Sequence, residues 1–238
     1  MCFSYSVNLS AQSLQSKLGI NELPLPNPGF FFSGFDHPML PVIALMEQQI
    51  VPTAMEWGLI PSWTADAAKA KEMGNFGLNA RAETLDEKPM FRGAWQHQPC
   101  IIPCSGFFEW KDVGGKKQPY YIHSAEEDFL LFAGIWSSWI QPQTGAEIQT
   151  YSIITTEANE LMAEIHNVKK RMPVILAAET ALNYLAESPE NRLTFLQPCP
   201  NEKITAYRVS NLVSNSRANR NVANVLQPFS EGYSQTLF

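Results

Sequence analysis

Apolar residues along the chain come in short runs that end at glycine, proline or a polar cluster, and few keep a helical period for long. "MLPVIALM", "IVPTAMEWGLI", "DFLLFAGIWSSW" and "IQTYSIITT" read as strands, with prolines at edges or bends. "CIIPCSGFFEWKDVGGKKQPYYIHS" reads as two strands around a "GG" turn, and "MPVILA" as one more strand. Helical spacing is confined to short stretches. In "SAQSLQSKLG", Ser10 caps a helix, Leu14 and Leu18 share a face, and Gly19 stops it. "TADAAKAKEMG" predicts a helix capped by Thr64 with Gly74 beyond its end, and "ETALNYLAES" a further one. "TTEANELMAEIH" predicts a helix with Leu161, Met162 and Ile165 inward and His166 at its exit. The proline-rich "NELPLPNPGFFFSGFDHPMLP" must be mostly irregular, and its aromatics suit a loop packed on the body. The pattern predicts one α+β domain over residues 1–238, with short antiparallel strands dominating and helices outside.

Composition narrows the class. The 238 residues are 45% hydrophobic and 17% charged, enough to bury a core. No apolar run approaches bilayer length, and the N-terminus lacks a basic-then-apolar segment, so an intracellular, reducing location is expected. There Cys2, Cys100, Cys104 and Cys199 are expected to be thiols. Seventeen Lys and Arg against 23 Asp and Glu argue against a histone-like grip on duplex DNA but leave room for a local basic groove. Glycine-rich phosphate loops, HExxH and CxxC are absent. Cys100 and Cys104, if extended, lie about 13 Å apart at 3.3 Å per residue, too far to share a metal. They are read as core residues, and neither metal nor cofactor is expected.

Five features remain. Cys2 follows the initiator methionine; trimming of Met1 would leave an amine and a thiol on one residue. An N-terminal amine titrates near 7.7–8.0, so a useful fraction is neutral and can attack an aldehyde to form an imine. "EWGLIPSW" holds Trp57, expected in the core, and Trp63, which is either buried or an exposed stacking platform. In "LNARAET" an extended backbone would put Asn79, Arg81 and Glu83 on one face, a solvated surface or a polar site. Glu109, between Phe108 and Trp110 in an apolar strand, is either a salt-bridge partner or a carboxyl group with a raised pKa. His166 leaves its helix just ahead of Lys169, Lys170 and Arg171, where an acid/base group could sit beside an anion site. The chemistry these parts suit is imine formation on an aldehyde with an anionic carrier, closed to a thiazolidine by the thiol.

Taken in order, Cys2, "WGLIPSW", "NARAET", "PCSGFFEW" and "IH…RMPVIL" resemble the SRAP family of abasic-site processing proteins. The likeness runs from Cys2 to about Leu176, with "YRVSNLVSN" similar to the family's late strand. It implies a β-rich α+β fold with a barrel-like antiparallel core. It also implies a sensor of abasic sites in single-stranded DNA that crosslinks covalently through a processed Cys2, with autoproteolytic loss of Met1 and lyase-like chemistry. By resemblance, Asn79 positions the sugar and Cys2, Glu109 is the general acid/base, and His166 assists sugar opening and phosphate contact. Arg81, Arg92 and Arg171 match phosphate binders, Lys169 and Lys170 extend that basic run, and Trp63 supports the strand. The expected partner is abasic single-stranded DNA, with replication machinery nearby and no membrane. A monomer is expected, in the cytoplasm with the nucleoid or in a nucleus.

Three departures bear on DNA contact. The family's usual Cys-Gly-Arg start is here Cys2, Phe3, Ser4; the "YN-x-AP" segment is "FFFSGFDHP"; and "HNVKKRMP" is longer than "H-x-R-MP". Two other classes would also account for parts of the chain. An N-terminal-nucleophile amidohydrolase would use Cys2 but not Glu109 or His166, and a non-catalytic single-strand binder would use Trp63 and the arginines but not Cys2.

Overall fold

The computed structural model describes residues 2–229. Its strands are β1 (Ser4–Ser6), β2 (Phe32–Ser33), β3 (Met39–Met46), β4 (Gln49–Trp57), β5 (Asn79–Arg81), β6 (Pro99–Cys104) and β7 (Gly106–Val113). They continue as β8 (Lys116–Ser124), β9 (Leu130–Ile140), β10 (Glu147–Glu157), β11 (Arg171–Pro173), β12 (Ile175–Leu176) and β13 (Ile204–Arg208). Strands β10, β4, β3, β6 and β9 pair in that order, and β9 pairs back onto β10, which closes a five-stranded barrel. One seam departs from the antiparallel expectation. Strand β4 meets β10 in parallel, Thr150 opposite Glu56 and Tyr151 opposite Trp57, and β5 extends the same parallel edge. A second sheet, ordered β13-β8-β7-β1-β2, is antiparallel throughout.

Alternation along the barrel strands sorts the core into two faces. Leu40, Val42, Cys100, Ile102, Cys104, Phe132, Tyr151 and Ile153 form one cluster, which takes in Tyr5, Phe107 and Ile122 from the second sheet. Ile43, Ile101, Ala133, Ile135 and Ile154 point the other way, against Leu14 and Leu18 of α1 (Ala11–Leu18) and, further along, other helices. A five-stranded barrel has no room for helices inside, so this is its outer face and the first cluster its inner one. Cys100 and Cys104 are wholly buried there as thiols, in agreement with their reading as core residues.

Helix α1 forms as its pattern predicts, capped by Ser10 and ended by Gly19 at φ 66°. Helix α2 (Ala67–Phe76) corrects its expected ends. Asp66 is the cap, accepting from Lys69 N, and Gly77 the stop. Thr64 is buried and donates to Pro61 O, while Gly74 lies inside the helix, close to the ring of His37. Helix α3 (Pro89–His97) starts on a proline and buries Phe91, Ala94 and Trp95. Helix α4 (Glu160–Ile165) is capped by Asn159 and α5 (Ala181–Ala186) packs Tyr184 inward, its hydroxyl donating to Gly134 O.

The "two strands" expected around the GG turn are three. Gly114 and Gly115, both at positive φ, do join β7 to β8. The chain breaks at Ser105, however, sending β6 into the barrel and β7 into the second sheet. "MPVILA" also divides, β11 pairing with β10 and β12 with β9. Among the described residues no helix is long and apolar enough to cross a membrane.

Candidate active site

The two sheets meet near the start of the chain. Cys2 leads into β1, whose partner β7 carries Glu109, while β10 holds β5 on one edge and leads into α4 and His166. Cys2 is fully buried, and its backbone carbonyl accepts a 2.9 Å hydrogen bond from the side-chain amide of Asn79. Its thiol donates to Ser4 O, and burial, followed by the nearby Glu109 carboxylate, raises its pKa well above the usual range. The sulfur is therefore a neutral thiol near pH 7.

Glu109 is 4% exposed, and burial raises its pKa to about 7. The expected cause needs one correction. Phe108 packs with Phe31 and Tyr121 on the far face of β7, so Glu109 loses solvent to the barrel side and not to that neighbour. His166 places Nε2 4.0 Å from Glu109 Oε2. Its Nδ1 lies 2.9 Å from the carbonyl of Arg171, which can only accept, so Nδ1 carries the proton and Nε2 is the basic atom. Burial lowers its pKa to about 4, leaving a neutral imidazole at physiological pH. An acid near its midpoint thus faces a neutral base.

Both groups line a 160 Å³ cavity with Phe3, Trp110, Lys117, Val168 and Lys169. Phe3 packs on Phe35 with the rings tilted by 35° and 5.0 Å between centroids, and Trp110 is held by its indole N–H on Ser214 Oγ. The remaining expected residues are divided. Lys169 and Lys170 are exposed on the turn after His166, and only Lys169 reaches the cavity. Arg81 is exposed at the end of β5. The extended face drawn through Glu83 stops there, because residues 82–84 turn into a 3-10 helix. Glu83 instead grips Arg171 with both oxygens, at 2.6 and 2.9 Å, and Arg171 also donates to Thr155 O. Trp63, 59% exposed, borders a separate 200 Å³ cavity under α3, the helix on which Arg92 is exposed. Trp57 is fully buried, donating to Leu78 O.

Residue-by-residue reading missed Phe3, Lys117 and Val168 as cavity wall. Nothing local to "GGKK" marks Lys117 as sharing a cavity with His166.

These features define a class: a closed-barrel α+β protein with an acid/base pair assembled beside its second residue. The chain belongs to the SRAP family, whose model, described as SOS response associated peptidase (SRAP), matches residues 1–216. It is 41% identical over 169 residues to the abasic site processing protein YoqW of Bacillus subtilis, covering 69% of this chain and 72% of that one. To the abasic site processing protein HMCES of Xenopus tropicalis it is 33% identical over 193 residues, 71% of this chain and 55% of the longer relative. A crystal structure of a Bacteroides thetaiotaomicron protein superposes with a TM-score of 0.86 at 33% identity, covering 96% of this chain and all of that one. One from Bordetella bronchiseptica gives 0.76 at 26% identity, covering 88% and 100%.

Proposed function

We propose that this protein processes abasic sites in single-stranded DNA, crosslinking itself to the ring-opened sugar through Cys2. The observation that carries the reading is the Cys2 carbonyl fixed by Asn79 beside a carboxyl group whose pKa is about 7. The relatives named as abasic site processing proteins support the substrate. Met1 lies outside the described residues, and its removal belongs to the proposal. Hydrolysis of the Met1–Cys2 amide consumes one water and leaves the Cys2 amine.

The chemistry then follows from the groups present. Protonated Glu109 delivers its proton to the ring oxygen as the hemiacetal opens to the aldehyde, with His166 Nε2 taking the hydroxyl proton. The Cys2 amine adds to C1, and loss of one water forms the imine. The neutral thiol adds across that C=N bond; sulfur bonds to C1, its proton goes to nitrogen, and a thiazolidine results. Departure of the 3′ phosphate by β-elimination at the imine stage would give the lyase-like side reaction. Arg81, Arg92 and Lys170 serve as phosphate contacts and Trp63 as a stacking surface along the strand, with action at the nucleoid or in a nucleus.

Incubation of the protein with an oligonucleotide carrying one abasic site tests this. A covalent band on a denaturing gel, lost in Cys2→Ala, is expected. Glutaminase activity without a band would instead mark an amidohydrolase, and reversible, salt-sensitive retention alone a binding module.

A further inference from the structure

Arg171, expected to bind phosphate, has its guanidinium spent on Glu83 and Thr155 and only 13% of its side chain exposed. The cavity holding Glu109 and His166 has two other cations in its wall, Lys117 from β8 and Lys169 from the turn after α4. The turn is clipped to β7, the hairpin partner of β8. Asn167 accepts from Asp112 N at 3.0 Å and donates to Asp112 O at 2.8 Å, a two-bond bridge between residues 55 apart. The turn itself is closed by Lys170 N on His166 O, with Lys170 at φ 49°, which leaves Val168 and Lys169 exposed at its tip. On the other side Lys117 is 54% exposed and gives one contact to Asp112 Oδ2 at 2.9 Å. An ammonium has three N–H donors, so Lys117 keeps capacity for a second acceptor.

From this arrangement we infer that Lys117 and Lys169 together form the seat for the DNA phosphate that adjoins the reacting sugar. The inference rests on the function proposed above and assigns that site's anion recognition. Two ammonium groups at one small cavity, in a chain of net charge −6, concentrate positive charge where a backbone phosphate must lie for the sugar to reach Glu109. Point charges on flexible stems suit a phosphate whose position shifts as the sugar opens.

The test uses a single-stranded oligonucleotide with one tetrahydrofuran residue, which lacks the aldehyde and cannot crosslink, so that affinity is read alone by fluorescence anisotropy. Lys117→Gln and Lys169→Gln are each expected to lower the slope of log affinity against log salt by about 0.7, or about threefold less loss between 50 and 200 mM. Lys117→Arg is expected to keep the slope. Replacing the phosphates flanking the tetrahydrofuran by neutral methylphosphonate should weaken wild type and leave the double glutamine variant unchanged. Unaltered slopes, or equal methylphosphonate losses in wild type and double variant, overturn the seat while leaving the function standing. Absence of any wild-type binding overturns both.

Discussion

Asn79 donates its side-chain amide to the carbonyl of Cys2 at 2.9 Å, tying the start of the chain to a strand 77 residues away. Its other amide atom, Oδ1, is buried and has no hydrogen-bond partner among the described residues. An unmet buried acceptor costs about 1–3 kcal/mol, a cost that a substrate hydroxyl or the Cys2 amine would remove on reaching it. The residue is held at the junction because β5 pairs with β10, Ile153 opposite Asn79.

Asn79→Ala is therefore expected to slow single-turnover crosslinking by about a hundredfold, the scale of a lost positioning contact. Its stability should fall by only about 1 kcal/mol in urea, since the Cys2 carbonyl left unpaired replaces the orphaned Oδ1 and the net loss is one hydrogen bond. A wild-type rate in this variant would remove Asn79 from the mechanism.

Arg171 makes the opposite kind of contact. Its two-pronged pairing with Glu83, together with the Thr155 carbonyl, joins the turn after β5 to β11 and β10. Lysine supplies one charge but no planar fork, so Arg171→Lys is expected to destabilise the fold by about 1 kcal/mol, the exposed Glu83 limiting the loss. Affinity for single-stranded DNA should change less than twofold. A large drop in the salt slope of binding in Arg171→Gln, which removes the charge, would show that the arginine leaves Glu83 for phosphate.

What was legible in the sequence was local. Ser10, Leu14, Leu18 and Gly19 form a helix through contacts within a few residues, and the long strands announce themselves as apolar runs, because the barrel strands are buried on both faces. The parallel seam of β4 on β10 has no such mark, because it joins segments nearly a hundred residues apart. Thr64 and Asp66 are both good caps by type, and packing decided between them by burying Thr64. For the site, the burial of Glu109 was readable from its apolar strand, but not which side removed its solvent. Nor does any local pattern show that Arg171 is committed to a carboxylate 88 positions away.

Barrel closure gives a sharper test. A Cβ on Gly134 would lie 2.2 Å from Ile102 Cδ1, 2.9 Å from the backbone oxygen of Ser152 and 3.1 Å from Cys100 Sγ. A side chain can turn aside, but the carbonyl of a paired strand cannot. Gly134→Ala is expected to cost about 3 kcal/mol and lower Tm by about 6–12 °C. Gly93, inside α3 with nothing within 4 Å of its would-be Cβ, serves as the contrast. Gly93→Ala should stabilise by up to about 1 kcal/mol through helix propensity. Equal effects of the two would refute the close approach at the barrel seam.

The raised pKa of Glu109 predicts linked effects on stability and rate. Between pH 4.5 and about 7 the folded protein keeps a proton that the unfolded chain has released, so stability falls as pH rises through that window. His166, lowered to about 4 from 6.5, acts in the other direction: its contribution is lost as pH falls through that range. The two offset one another in wild type, and comparison with Glu109→Gln separates them. Relative to wild type, that variant should gain stability from pH 4.5 to 7, by up to about 3 kcal/mol at 1.36 kcal/mol per pKa unit. Crosslinking needs Glu109 protonated and the amine neutral, so its rate should peak at about pH 7.4, between the carboxyl near 7 and an amine near 7.7–8.0. In Glu109→Gln the alkaline limb should vanish and the rate drop by about 10²–10⁴. Rates measured from pH 5.5 to 9 decide it: an alkaline limb that survives the substitution would assign the acid to another group.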